Sequence, residues 1–190
     1  MSRNAIRAGK KLCAECGENE KKSKIRTETL VNDYLKENVG IPSVSSTMPG
    51  IRKASGTCNG DRRRHGDCIY VLTDRIIQIE TDEDSHSERE VVCELGKLDG
   101  SKGGLAPDLF KLPLLIIRFN PDAYDGALVG FQAKLRRLAN EVKKWMHAKD
   151  LSSLCTKRVN VIYMFYHSKS KKHIDAALEK KASINVVGVI

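Results

Sequence analysis

No stretch of this sequence is apolar over the roughly 20 residues that a membrane-spanning helix needs. The opening residues, MSRNAIRAGKKLCAECGENEKK, also lack the apolar run of a secretory signal peptide. A chain of the nucleus or cytoplasm, with no membrane partner, is the expectation. Cysteine is sparse and dispersed, with six residues at 13, 16, 58, 68, 93 and 155 and a single CxxC. That argues against a disulfide framework, and an intracellular chain of this size should keep most of its cysteines as thiols. A second CxxC or an HxxxH is missing too, so Cys13 and Cys16 supply only half of a four-ligand zinc site. Cys58 and His65 would complete it only by folding towards them, which leaves Zn²⁺ the lesser reading. There is no internal repeat.

What is present is charge, unevenly spread. The 190 residues carry 33 Lys and Arg against 24 Asp and Glu, a formal net charge of +9. Residues 1–65 hold 14 of the basic residues and only 7 acids, whereas residues 80–94, ETDEDSHSEREVVCE, hold seven acids and one Arg. A basic chain with one dense acidic knot suits phosphodiester chemistry: the basic surface holds a polyanionic backbone, and the carboxylates hold a cation. A solvated helix start is the plainer reading of the same knot.

Hydrophobic periodicity gives the framework. Residues 1–25 read as a basic, flexible lead, and residues 26–190 as one domain. Leu30, Val31, Tyr34 and Leu35 predict a helix over 26–38, with Thr27 or Thr29 as caps. Residues 40–66 read as loops with a short strand. DCIYVLTD (67–74) and RIIQIETDE (75–83) read as a hairpin turning at Thr73-Asp74-Arg75. Alternation in the second strand puts Ile77 and Ile79 on one face and Ile76, Gln78, Glu80 and Asp82 on the other. Residues 87–98 predict a helix capped by Ser85 or Ser87 and broken by Gly100 to Gly104. LPLLIIRFN (112–120) reads as a strand buried on both faces. Phe131, Leu135, Leu138, Val142 and Trp145 form the apolar stripe of a helix over 130–150, with Lys134, Arg136, Arg137, Lys143 and Lys144 largely off it. A strand (159–167), a helix (173–181) and a strand (184–190) follow. The alternation predicts an α/β sandwich with a central mixed sheet.

The chemistry concentrates at the hairpin. Asp67 opens its first strand and Glu80 ends its second, so a short turn returns the two carboxylates to one end of the sheet. Asp82 shares the face of Glu80, and His86 follows where an acid or base is useful. Hard cations such as Mg²⁺ or Mn²⁺ take carboxylate oxygens of this kind. Arg62, Arg63 and Arg64 lie just before Asp67, available to phosphates.

These residues resemble a known family. R-x-x-x-D-C-I-Y, I-I-Q-I-E-T-D-E-D-S-H, C-E and I-R-F-N-P-D-A-Y, in that order over roughly residues 56–125, look like the PD-(D/E)XK restriction-endonuclease-like proteins, similar to very-short-patch repair and EDxHD homing endonucleases. The resemblance implies a restriction-endonuclease-like sandwich and a Mg²⁺- or Mn²⁺-dependent endonuclease acting on DNA. It implies metal binding by Asp67, Glu80 and Asp82, an active-site role for His86, a helix acid in Glu94, and a place near the phosphate for Arg118 and Asn120. Gly66 stands where the family has Pro, Asp84-Ser85 replaces its usual pair before the His, and Lys97 replaces a common Arg. Those departures suit an alternative, a weakened nuclease fold that binds nucleic acid without cutting it. The sequence leaves dimerisation open.

Overall fold

The structure is a computed structural model that describes residues 27–39, 44–45, 68–83, 90–103, 108–123, 129–154, 159–180 and 184–190. Helix α1 (Thr27–Val39) is followed by a two-residue strand, β1 (Val44–Ser45), and by the hairpin β2 (Cys68–Val71) and β3 (Ile76–Thr81). Then come α2 (Val91–Gly103), β4 (Leu114–Phe119), α3 (Phe131–His147), β5 (Val159–Met164), α4 (Lys171–Glu179) and β6 (Ile184–Val189). The six strands form one sheet in chain order. β1, β2 and β3 are antiparallel, and β3 to β6 run parallel. This is the α/β class expected, a mixed sheet flanked by helices. The lead expected over residues 1–25 lies outside the described residues.

Burial explains the layering. β4 and β5 are buried along their whole length, as parallel strands covered on both faces must be. On one face, Ile77, Ile79, Leu115, Ile117 and Phe119 pack under α1 and the stripe Leu135, Leu138, Val142 and Trp145 of α3. On the other, Ile76, Leu114, Ile116, Val161 and Tyr163 pack under Leu95 and Leu98 of α2 and Ile174 and Ala177 of α4. All three parallel crossovers step the same way along the sheet. The one through α3 therefore has the opposite hand to those through α2 and α4, against the usual single hand. The hairpin turns between Leu72 and Arg75, whose backbones join at 2.9 Å. Arg75 grips Asp74 and donates from Nη1 to the Trp145 carbonyl at 2.7 Å, tying the hairpin to the end of α3.

Three expectations need correction. The glycines from Gly100 do not break α2, which runs on to Gly103; burial of Leu95 and Leu98 outweighs the roughly 1 kcal/mol that an interior glycine costs. Lys134 is not off the stripe of α3 but fully buried within it. Its aliphatic stem joins the core while Nζ donates to the carbonyls of Asn120, at 3.2 Å, and Asp122. Of the two cysteines in described residues, Cys68 is a buried thiol, as expected, but Cys93 is disulfide-bonded.

Candidate functional site

The carboxyl ends of β3, β4 and β5 gather the polar residues that the rest of the sheet lacks. Register sets Glu80 beside Arg118 and Arg118 beside Tyr163, one row across three strands on the face covered by α2 and α4. The ladder continues past the strand ends, with Asp82 N–H donating to the Phe119 carbonyl at 2.8 Å and Asn120 N–H to the Met164 carbonyl at 3.0 Å. Asp82 is thereby fixed two residues beyond Glu80, on its face.

Arg118 is the centre of the cluster. Its Nε donates to Asp82 Oδ2 at 2.6 Å, and its Nη2 donates to Glu94 Oε2 in the first turn of α2. Tyr166 donates its hydroxyl to the same Asp82 oxygen. The guanidinium carbon lies 5.8 Å from the Tyr163 ring centre and 5.9 Å from that of Tyr166, and the two rings meet edge to face at 5.0 Å. Asp82, Glu94 and Arg118 are all at most 3% exposed. Burial opposes the charge on Arg118, but the Asp82 carboxylate, Tyr166 and the Glu94 carboxylate outweigh it and hold the guanidinium protonated. Burial, reinforced by Asp82, pushes the Tyr166 phenol well up, so it remains a donor. Burial raises Tyr163 to about 12 against the pull of Arg118.

A strained residue delivers Tyr166. Strand alternation puts Tyr163 under α2 and α4 and Met164 under α1 and α3. The next residue, Phe165, should return to the first face, but its φ of 61° turns it onto the α3 side, where its ring meets Phe119 edge to face. Tyr166 consequently falls on the α2 and α4 face, over Asp82. Backbone bonds hold the turn: Phe165 N–H donates to the Ile190 carbonyl at 2.7 Å, and its own carbonyl accepts Asn120 Nδ2 at 2.7 Å. A non-glycine residue in this region costs on the order of 1–3 kcal/mol and persists only where its surroundings impose it.

Glu80 differs from the buried acids. It is only partly covered, and Oε1 accepts Gln78 Nε2 at 2.6 Å. The chain leaves β3 towards α2 on one face and leaves β4 towards α3 on the other. Diverging connections of this kind open a crevice at the carboxyl ends of neighbouring parallel strands, where open α/β sheets bind ligands. Glu80 lies near the carboxyl end of β3, beside Arg118 of β4.

Of the residues expected at a site, the structure brings together Glu80, Asp82, Glu94 and Arg118. Asp67, His86, Arg62, Arg63, Arg64, Cys13 and Cys16 lie outside the described residues. Two expectations change. Arg118, at 3% exposed, is committed to Asp82 and Glu94 rather than turned to a phosphate. Asn120 is fully buried and structural, accepting the Asp122 N–H at 3.1 Å as well as binding Phe165. Tyr166 is the residue the sequence reading missed, and its signal was faint: a tyrosine just past an apolar strand.

A divalent cation asks for accessible, hard oxygen donors. Glu80 fits that need. Asp82 and Glu94 fit it less well, because both are buried and Asp82 Oδ2 and Glu94 Oε2 are taken up by Arg118 and Tyr166. Among the described residues no three His, Cys, Asp or Glu side chains group as a metal site. No described helix is long and apolar enough to cross a membrane. The chain matches no protein-family model, and no curated protein and no solved structure matches it significantly.

Proposed function

We propose that this protein is a divalent-metal-dependent nuclease of the restriction-endonuclease-like type that hydrolyses phosphodiester bonds, with DNA as the expected substrate. The observation that carries this reading is the placement of Glu80: a partly exposed carboxylate near the carboxyl end of β3, next to β4, with the buried Asp82–Arg118–Glu94 cluster beside it. The strand, helix and strand that bear E-T-D, C-E and I-R-F-N occur in the order of the family motifs and meet at this one place. A net charge of +9 suits a polyanionic substrate.

In this reading Glu80 and Asp67 are the cation ligands. Such a pair requires the β2–β3 ladder, whose last described step is Cys68 with Ile79, to extend by one residue. The ion, when bound, supplies charge to the scissile phosphate and lowers the pKa of a water. Asp82 is a positioning residue: with Arg118, Glu94 and Tyr166 it fixes the end of β3 so that Glu80 is held in place. His86 is assigned the proton transfer.

The test is cleavage of single-stranded, duplex and branched DNA, with Mg²⁺, Mn²⁺ or EDTA, by wild type and Glu80→Gln. The expected result is metal-dependent cutting that falls by at least about 100-fold in Glu80→Gln while DNA binding is kept. Absence of cutting by wild type on every substrate would favour the binding-module alternative. Equal cutting by the variant would remove Glu80 from the chemistry.

A further inference from the structure

The solvent side of α3 is the most one-signed surface among the described residues. Gln132, Arg136, Arg137, Asn140, Lys143, Lys144 and His147 are all exposed. Their spacing by three, four and seven places them along one face of the helix. No acid is exposed on this helix. Its single acid, Glu141, is turned inward, accepting from Trp145 Nε1 at 2.7 Å and from Lys144 Nζ at 2.9 Å. Arg136 and Lys143 make no ion pair among the described residues. The other helices differ. The exposed α4 cations Lys171 and Lys172 are followed on the same helix by Asp175 and Glu179, and Lys171 pairs with Asp175 at 3.4 Å. On α1, exposed Asp33 and Glu37 outnumber Lys36. Because α1 packs beside α3, it bounds the positive surface on that side.

The geometry points to this face of α3 as a docking surface for the phosphate backbone of duplex nucleic acid. From Arg136 to His147 the stripe is about 16 Å long. A duplex carries on the order of ten charges over that length. Charge complementarity is one reason for the choice of partner. A second is that every apolar residue of the helix from Leu135 to Met146 is buried in the core or turned towards it. A membrane-surface helix needs an apolar face free to enter the lipid, and α3 has none to offer. Two of the four exposed cations are arginines, whose forked donors match phosphate oxygens. The helix is already formed, so the ordering cost of binding falls on its long side chains rather than on the backbone. The surface rests on the nucleic-acid partner of the preceding reading but not on its chemistry.

The test uses the full chain, in EDTA to prevent cutting, with a fluorescein-labelled duplex of about 20 base pairs, read by anisotropy across about 50–200 mM NaCl. Wild type is compared with Arg136→Gln/Arg137→Gln/Lys143→Gln/Lys144→Gln and with a control that neutralises Lys169, Lys171, Lys172 and Lys180 around α4. Circular dichroism checks that both variants fold. The α3 variant should bind at least about 10-fold more weakly, and its slope of log K against log salt should be shallower by about 2 to 4. The α4 control should stay within about 3-fold of wild type. Equal binding and slope for the α3 variant and wild type would overturn the inference. So would a folded wild type that binds phosphatidylserine vesicles but no duplex. Binding that depends on α3 without any cleavage by wild type would keep the surface and discard the nuclease reading.

Discussion

The two faces of the sheet end differently at the carboxyl edge. Under α1 and α3 the end is aromatic and aliphatic, with Phe119 against Phe165, and the buried charge of Lys134 is spent on backbone carbonyls. Under α2 and α4 the same strand ends join Glu94 of α2 in a cluster of two carboxylates, a guanidinium and two phenols, all buried. Apolar packing stabilises at no desolvation cost, whereas a buried ion cluster at best breaks even against it. Stability therefore explains the first edge and not the second. The polar edge is also the one that flanks the partly exposed Glu80.

Breaking the cluster from its centre should show the largest effect. Arg118→Ala leaves Asp82 and Glu94 buried without their cation and should cost about 3–5 kcal/mol in urea unfolding. Replacing Asp82, Arg118 and Glu94 together by Leu, Met and Leu should recover most of that loss, because no charge is then stranded. On the apolar face, Leu138→Ala should cost about 2–5 kcal/mol, and no second substitution of a charge will rescue it. A rescue at the first site and none at the second would confirm the contrast.

Alkaline pH should weaken the buried tyrosines of both faces: Tyr163 and Tyr166 on the polar one, and Tyr70, whose phenol burial also pushes well up, on the other. The folded pKa of Tyr163 is raised to about 12 and that of Tyr166 lies well above 10, so the folded state keeps protons that the unfolded chain loses. The stabilisation is complete below about pH 10 and is lost as pH rises towards 12, by on the order of 2–3 kcal/mol for Tyr163. Tyr163→Phe should flatten that fall. At neutral pH, Tyr166→Phe keeps the ring and removes one hydrogen bond to a carboxylate, for about 1–2 kcal/mol. Glu80→Gln should have the smallest effect, within about 0.5 kcal/mol, since its side chain is partly in water.

Most of the framework was legible because periodicity follows burial. The alternation that put Ile77 and Ile79 opposite Ile76, Glu80 and Asp82 is the one found, and the α3 stripe from Phe131 to Trp145 packs as its spacing required. Lys134 could have been placed by the same rule, since it lies three residues after Phe131 and four before Leu138. Its charge hid that, because the carbonyls that accept it come from a distant loop. The extent of α2 was hidden because glycine propensity is local while the burial of Leu95 and Leu98 is tertiary. At the site, Glu80, Asp82 and Glu94 were legible as acids, but the division between the partly exposed one and the two held by Arg118 was not. That division depends on which strands lie side by side. Tyr166 was hidden further still, behind a reversal of alternation that only the backbone of Phe165 shows.

Glu80 is the proposed cation ligand and Asp82 only positions it, so the most direct measurement is Mn²⁺ binding by calorimetry in wild type, Glu80→Gln and Asp82→Asn. We predict a site in wild type that Glu80→Gln weakens at least about 10-fold, with Asp82→Asn weakening it less. Unchanged Mn²⁺ binding in Glu80→Gln, or a loss confined to Asp82→Asn, would contradict this assignment.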